Sequence, residues 1–390
     1  MPRRDKGTDR HAATRRKQDR IVASALFLFL AGVLVIAVIA VRGAQSHRND
    51  SQPHTSASSS NGTSAGADGT SIQPPQVSNG TAATPEVTGV PTASPITNSS
   101  NTTKASQFSM IGYWGATALT NTQPLAYFCD LGMYNTINLG YMNEFGGSSD
   151  HFAITFGNKA VYRYDPAAPG PESKGFDFIA RDIAHCQRKG VKVMLSIGGP
   201  GGNYTLEDGD GKSMAEFLYS SFFQKSAPSN VLKPFGADTV LDGIEISFMN
   251  PDSMGATWTQ ETIDLLVTLK SLSPASILSV AVPCSSTWPV VTSSSAIVPV
   301  DYVNVLLYYD DTCLFEKGFN FIEWTHRFEG KIILGLALTE DEAVPGGFVA
   351  PVDLPRLVTS VSMEPQFAGI SLLDVEDGGN YANVVRSLLK

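Results

Sequence analysis

From residue 107 onward the chain alternates short apolar runs with stretches whose apolar residues fall at helical spacing, and this alternation restricts the fold more than any other feature. Eight runs read as strands: 108–113, 136–141, 192–197, 240–248, 277–282, 302–308, 331–336 and 369–373. Helical stretches over 178–189, 213–224 and 259–272 lie between several of them. Parallel strands need a long crossover, usually a helix, and cannot be joined by a tight turn. Eight such units within 107–390 predict an α/β fold, a (β/α)8 TIM barrel, with its site at the C-terminal ends of the strands. A doubly wound open sheet is the alternative, but no Gly-x-Gly-x-x-Gly turn follows the first run.

The residues before the barrel fall into three zones. Residues 1–20 carry eight Lys or Arg and too little apolar matter for a core, as expected of a cytoplasmic basic tail. Residues 21–41 contain no charged side chain and have about the length that crosses ~30 Å of hydrocarbon as a transmembrane helix. The excess of basic residues ahead of this span places the N-terminus in the cytoplasm, giving a single-pass type II protein whose C-terminal domain is extracellular or lumenal. The membrane is thus an expected partner, through a signal anchor. A cleaved signal peptide shares this layout, although its apolar region usually runs about 7–15 residues.

Residues 42–106 are dominated by Ser, Thr, Pro, Gly, Ala and Asn, which bury too little apolar area to offset the entropy of ordering. They read as a disordered, glycosylated stalk. Asn-x-Ser/Thr acceptors stand at Asn49, Asn61, Asn79, Asn98 and Asn101, with a sixth at Asn203 in the barrel. Chance occurrence in so Asn/Ser/Thr-rich a segment accounts for part of this number.

The net charge of −9 conceals an asymmetry: residues 1–105 hold eleven basic and six acidic side chains, and the remainder seventeen and thirty-one. An acidic outer domain argues against nucleic acid as a partner. His151, His185 and His326 show no ligand spacing, so neither a metal nor a cofactor is expected.

Four ordered motifs go further. The first run ends Gly112-Tyr113-Trp114-Gly115, and the second Asn138-Leu139-Gly140-Tyr141-Met142-Asn143-Glu144-Phe145-Gly146. The third ends Met194-Leu195-Ser196-Ile197-Gly198-Gly199, and the fourth reads Asp242-Gly243-Ile244-Glu245-Ile246-Ser247-Phe248-Met249. Together they resemble the hevamine-like class III chitinases of glycoside hydrolase family 18, and the resemblance covers essentially all of 108–390. It implies a chitinase barrel and two disulfides, Cys129 with Cys186 and Cys284 with Cys313. Four unpaired buried thiols are the alternative, less compatible with an oxidising compartment.

Active members carry Asp-x-x-Asp-x-Asp-x-Glu on the fourth strand, whose last residue protonates the glycosidic oxygen while the substrate's own N-acetyl group acts as nucleophile, an exception to the two-carboxylate scheme. The resemblance places Asp242, Glu245, Ser247 and Met249 at those four positions. Methionine has no proton to give, and general acid catalysis is worth about 10²–10⁴-fold. Glu245 lies four positions before Met249, about 13 Å deeper at ~3.3 Å per residue, and reads as a buried core acid. The sixth strand, Leu306-Leu307-Tyr308-Tyr309, lacks the family's amides, and Leu373 replaces the sugar-stacking tryptophan.

Candidate ligand-binding residues are therefore Tyr113, Tyr141, Gly198, Gly199 and Tyr308. The expectation is a noncatalytic chitinase-like protein, a pseudoenzyme whose ligand is a chitooligosaccharide, another glycan or a glycoprotein. One alternative is a hydrolase with a displaced acid, drawn from Glu144, Asp310, Asp311, Glu340, Asp341, Glu342, Asp374 and Glu376. The other is a structural glycosylated surface protein.

Overall fold

All eight expected strand runs become strands of one closed barrel. The computed structural model describes residues 108–117, 123–146, 151–228, 230–292, 297–375 and 379–390. The basic tail, the 21–41 span, the stalk and its five acceptor asparagines lie outside the described residues. Among the described residues no helix is long and apolar enough to cross a membrane.

The strands in chain order are β1 Ser109–Trp114, β2 Thr136–Phe145, β3 Phe152–Phe156, β4 Ala160–Tyr164, β5 Glu172–Lys174, β6 Lys192–Gly198, β7 Asn203–Tyr204, β8 Gly243–Ser247, β9 Ile277–Pro283, β10 Tyr302–Leu306, β11 Lys331–Ala337 and β12 Phe367–Leu373. Eight of them, β1, β2, β6, β8, β9, β10, β11 and β12, pair in parallel in that order, and β12 pairs back to β1. Closure removes every edge from this set and leaves an outer and an inner surface to fill. The outer one is covered by helices α1 Leu125–Asp130, α2 Phe176–Arg188, α3 Asp210–Leu218, α4 Gly255–Leu272, α5 Pro289–Thr292, α6 Phe321–Arg327, α7 Leu354–Val361 and α8 Gly379–Leu388. In α2, for example, buried Ile179, Ile183 and Cys186 recur at the spacing of one helix face.

Three details differ from the sequence expectation. The strand expected over 240–248 contracts to Gly243–Ser247, because Asp242 turns its carboxylate to the Val193 N–H at 2.9 Å and the Gln187 amide at 2.9 Å. The helix expected over 213–224 starts earlier, at Asp210, and gives way after Leu218 to a π-turn, Tyr219–Phe223. The wider turn, closed by Gln224 N–H to Tyr219 O at 3.0 Å, buries Phe222 and Phe223 together. Between β2 and α2 the chain also builds an antiparallel β3–β4–β5 extension that adds to β2 outside the barrel. Its signal is the alternation Phe152, Ile154, Phe156 and Ala160, Tyr162, Tyr164 across a turn at Gly157, where φ is +52°.

Both expected disulfides form. Cys129 of α1 bonds Cys186 of α2, with Cα atoms 5.2 Å apart, and Cys284 bonds Cys313 at 5.6 Å.

Candidate functional site

Alternation along β8 sends Ile244 and Ile246 outward into the main core and Glu245 inward. Inside the barrel Glu245 meets polar side chains from four other strands. Tyr113 of β1 donates its hydroxyl to Glu245 Oε1 at 2.6 Å, and Ser196 of β6 donates to the same oxygen at 3.0 Å. Asn304 of β10 donates its amide to the Tyr113 hydroxyl at 2.7 Å, and Ser371 of β12 donates to Asn304 Oδ1 at 2.8 Å. The five side chains form one chain of hydrogen bonds across the barrel, all of them buried. Burial pushes the Glu245 carboxyl up to about 7, while the bonds from Tyr113 and Ser196, with Asn304 and Asn138 alongside, pull in the opposite direction. Burial, reinforced by the Glu245 carboxylate, drives the Tyr113 phenol well above its ordinary range.

Above this layer the tyrosines gather. The Tyr113 and Tyr141 rings lie 6.4 Å apart, and burial, reinforced by the Glu245 charge, raises the phenols of both Tyr141 and Tyr308. Tyr141 reaches this position through a bulge: in the β2–β6 register Gly140 faces Ser196 and Met142 faces Ile197, so Tyr141 is skipped. Gly199 makes room for it, since a Cβ there would stand 2.5 Å from the Tyr141 ring. Gly198 is required by the next strand, where a Cβ would stand 2.5 Å from Ser247 O. The two glycines have φ of +104° and +83°, which other residues rarely adopt.

Ser247 is buried at the end of β8, and Met249 follows just beyond it, half-buried. The Met249 N–H donates to the Tyr204 hydroxyl at 3.2 Å, and that hydroxyl donates to Gly199 O at 3.0 Å. Tyr204 thus ties the ends of β6 and β8 together, its ring stacked on Phe145 and Phe248. Motif reading passed over it because Tyr204 is only the middle residue of the Asn203 acceptor triplet. Leu306, Tyr308, Ala281 and Ala337 form a small apolar cluster of their own, with Tyr309, Ala343 and Leu373 packed against it. It is separate from the main core between barrel and helices.

The other candidates divide clearly. Asp242 sits at the opposite, N-terminal end of β8, paired with Lys192 at 2.9 Å. Asn203 is exposed on β7, beside Glu144 of β2. Glu144 pairs with Arg163 at 3.2 Å. Burial raises the Asp310 carboxyl, but hydrogen bonds from Ser285, Thr312 and Cys313 outweigh it and hold the group below its usual value. Glu342 accepts the Leu338 and Thr339 N–H groups, each at 3.2 Å, and Asp374 accepts the Thr117 N–H at 3.2 Å. These acids close turns and cap chain ends. Glu340 and Asp341 share the short 3-10 turn with Glu342, Asp311 is exposed, and Glu376 lies outside the described residues.

A closed (β/α)8 barrel with tyrosines and a carboxylate converging beneath the C-terminal ends of its strands defines an α/β barrel protein with its candidate site where this fold builds sites. The profile of Glycosyl hydrolases family 18 matches residues 109–329, and the chain belongs to that family, with the fold of its hevamine-like class III members. Endochitinase Ziz m 1.0101 of Ziziphus mauritiana is 28% identical over 283 residues, which cover 67% of this chain and 79% of the relative. A xylanase and α-amylase inhibitor protein from Scadoxus multiflorus superposes with a TM-score of 0.59 at 25% identity, over 72% of this chain and 98% of that one. A second xylanase and α-amylase inhibitor protein, solved in complex with trehalose, gives 0.58 at 26% identity, over 72% and 97%.

Proposed function

We propose that this chain is a noncatalytic member of the family that acts by binding a glycan or a glycoprotein, held at a membrane by its 21–41 segment with the barrel on the extracellular or lumenal side. The observation that carries this reading is Met249 at the end of β8. A thioether has no proton to deliver to a departing sugar oxygen, and neighbouring Ser247 has no charge to offer. The carboxylate that remains inside the barrel, Glu245, is fully buried and bonded to Tyr113 and Ser196.

Apolar Leu306 and Leu373 beside Tyr308 support the same reading, because they replace polar and stacking groups that a chitin site uses. The similarity to inhibitor proteins built on this fold, one of them complexed with trehalose, supports binding as the surviving activity. A glycan array and calorimetry with chitotetraose and trehalose, using the purified full-length chain, test the reading. A saturable ligand is expected, and a protein that engages no glycan and captures no glycoprotein contradicts it. The Asn203 acceptor is proposed to carry a glycan, which would leave room for a short ligand better than for a long polysaccharide.

A further inference from the structure

Outside the barrel mouth, between the end of β2, the β3–β4 hairpin and α3, lies a cavity of about 280 Å³. Its walls include Phe145, Phe152, Met214 and Phe217, and its polar lining includes Asp210, Ser213 and His151. The Phe152 and Phe217 rings pack at 4.8 Å and Phe152 lies against Tyr162 at 5.8 Å, so the aromatic wall is fixed from behind. Met214 supplies a thioether, a side chain that adapts to planar rings. Such a cavity, mainly apolar with a few polar groups, is the usual form of a small-molecule site.

Charge selects among the molecules that would fit. Asp210 is the acid among the residues that line the cavity, and Lys212, the base nearest to it in sequence, pairs with Asp264 at 3.7 Å. The full negative charge of the Asp210 carboxylate outweighs the roughly half positive charge that the N-terminus of α3 contributes. Aromatic faces attract a cation as well.

We propose that this cavity binds a small aromatic amine, with its ring against Phe152, Phe217 and Met214 and its ammonium group at Asp210. The site is separate from the barrel mouth and does not depend on how the mouth is read.

Calorimetric titration of the purified full-length chain with tryptamine, and with tryptophol, which has a hydroxyl in place of the amine, tests both halves of the proposal. Tryptamine should saturate one site per chain, and tryptophol should bind about tenfold more weakly, the worth of one charged hydrogen bond. Asp210→Asn, which keeps an oxygen to accept the Glu207 N–H now bonded at 2.7 Å, should erase the difference. Ser213→Phe, at an exposed position of α3, should fill the cavity and abolish binding without lowering the melting temperature. Absence of saturable binding, equal affinity for the two probes, or undiminished binding in Ser213→Phe would each overturn the proposal.

Discussion

Tyr113 and Glu245, 132 residues apart in the chain, meet inside the barrel in a hydrogen bond of 2.6 Å from the phenol to Oε1. The bond is the centre of a buried chain running from Ser371 through Asn304 to Tyr113 and Glu245. A carboxyl held there is easier to keep protonated than charged, and the protein's stability should respond to pH accordingly.

The carboxyl titrates at about 7 in the folded state against 4.5 ordinarily, so the folded protein holds this proton more tightly than the unfolded chain. Its contribution is complete below about 4.5 and is lost as pH rises through about 7, a change of about 3 kcal/mol. Denaturant unfolding of wild type and Glu245→Gln from pH 4 to 8 should show the variant gaining on wild type by about that amount. Parallel pH profiles would contradict the assignment.

The two disulfides close loops of different length, with sequence separations of 57 for Cys129–Cys186 and 29 for Cys284–Cys313. Loop-closure entropy assigns about 4 kcal/mol to the longer and about 3.5 kcal/mol to the shorter. Paired Cys→Ala variants, unfolded in guanidinium, should each lose several kcal/mol, the Cys129/Cys186 pair slightly more.

Gly199 stands with φ of +83° directly against the Tyr141 ring. Gly199→Ala combines a strained backbone with overpacking and should cost about 2–4 kcal/mol. It should also displace Tyr141, so any ligand that uses the mouth should bind more weakly to this variant than to wild type.

The barrel was legible because each strand advertises itself locally: an apolar run such as Lys192–Gly198 is bounded by Gly190 and Gly199, and its neighbours repeat the pattern. The motif positions Tyr113, Tyr141 and Gly199 were legible because each lies in a recognisable motif within or just after one of these runs. The far half of the Glu245 network was not. Asn304 and Ser371 are ordinary residues of apolar strands, and Asn304 reaches Tyr113 across 191 residues, a contact that only closure of the barrel creates. Tyr204 was hidden in a two-residue strand without apolar periodicity. The side cavity depends on the β3–β4 hairpin, whose alternation is plain once Gly157 is taken as its turn.

The proposed anchoring at 21–41 has a direct biochemical consequence. The full-length chain should stay with the membrane through an alkaline carbonate wash and be released by detergent, and deletion of residues 21–41 should make it soluble. Release by carbonate would mean that the segment is cleaved or does not span.

Met249 is proposed to leave the barrel without a general acid. Turnover of a fluorogenic chitooligosaccharide by the purified full-length chain, followed from pH 4 to 8 beside a buffer blank, tests it most directly. No release of fluorophore above the blank is expected at any pH. Hydrolysis that persists in purified protein and disappears on changing a single acid, such as Glu144→Gln, would contradict it.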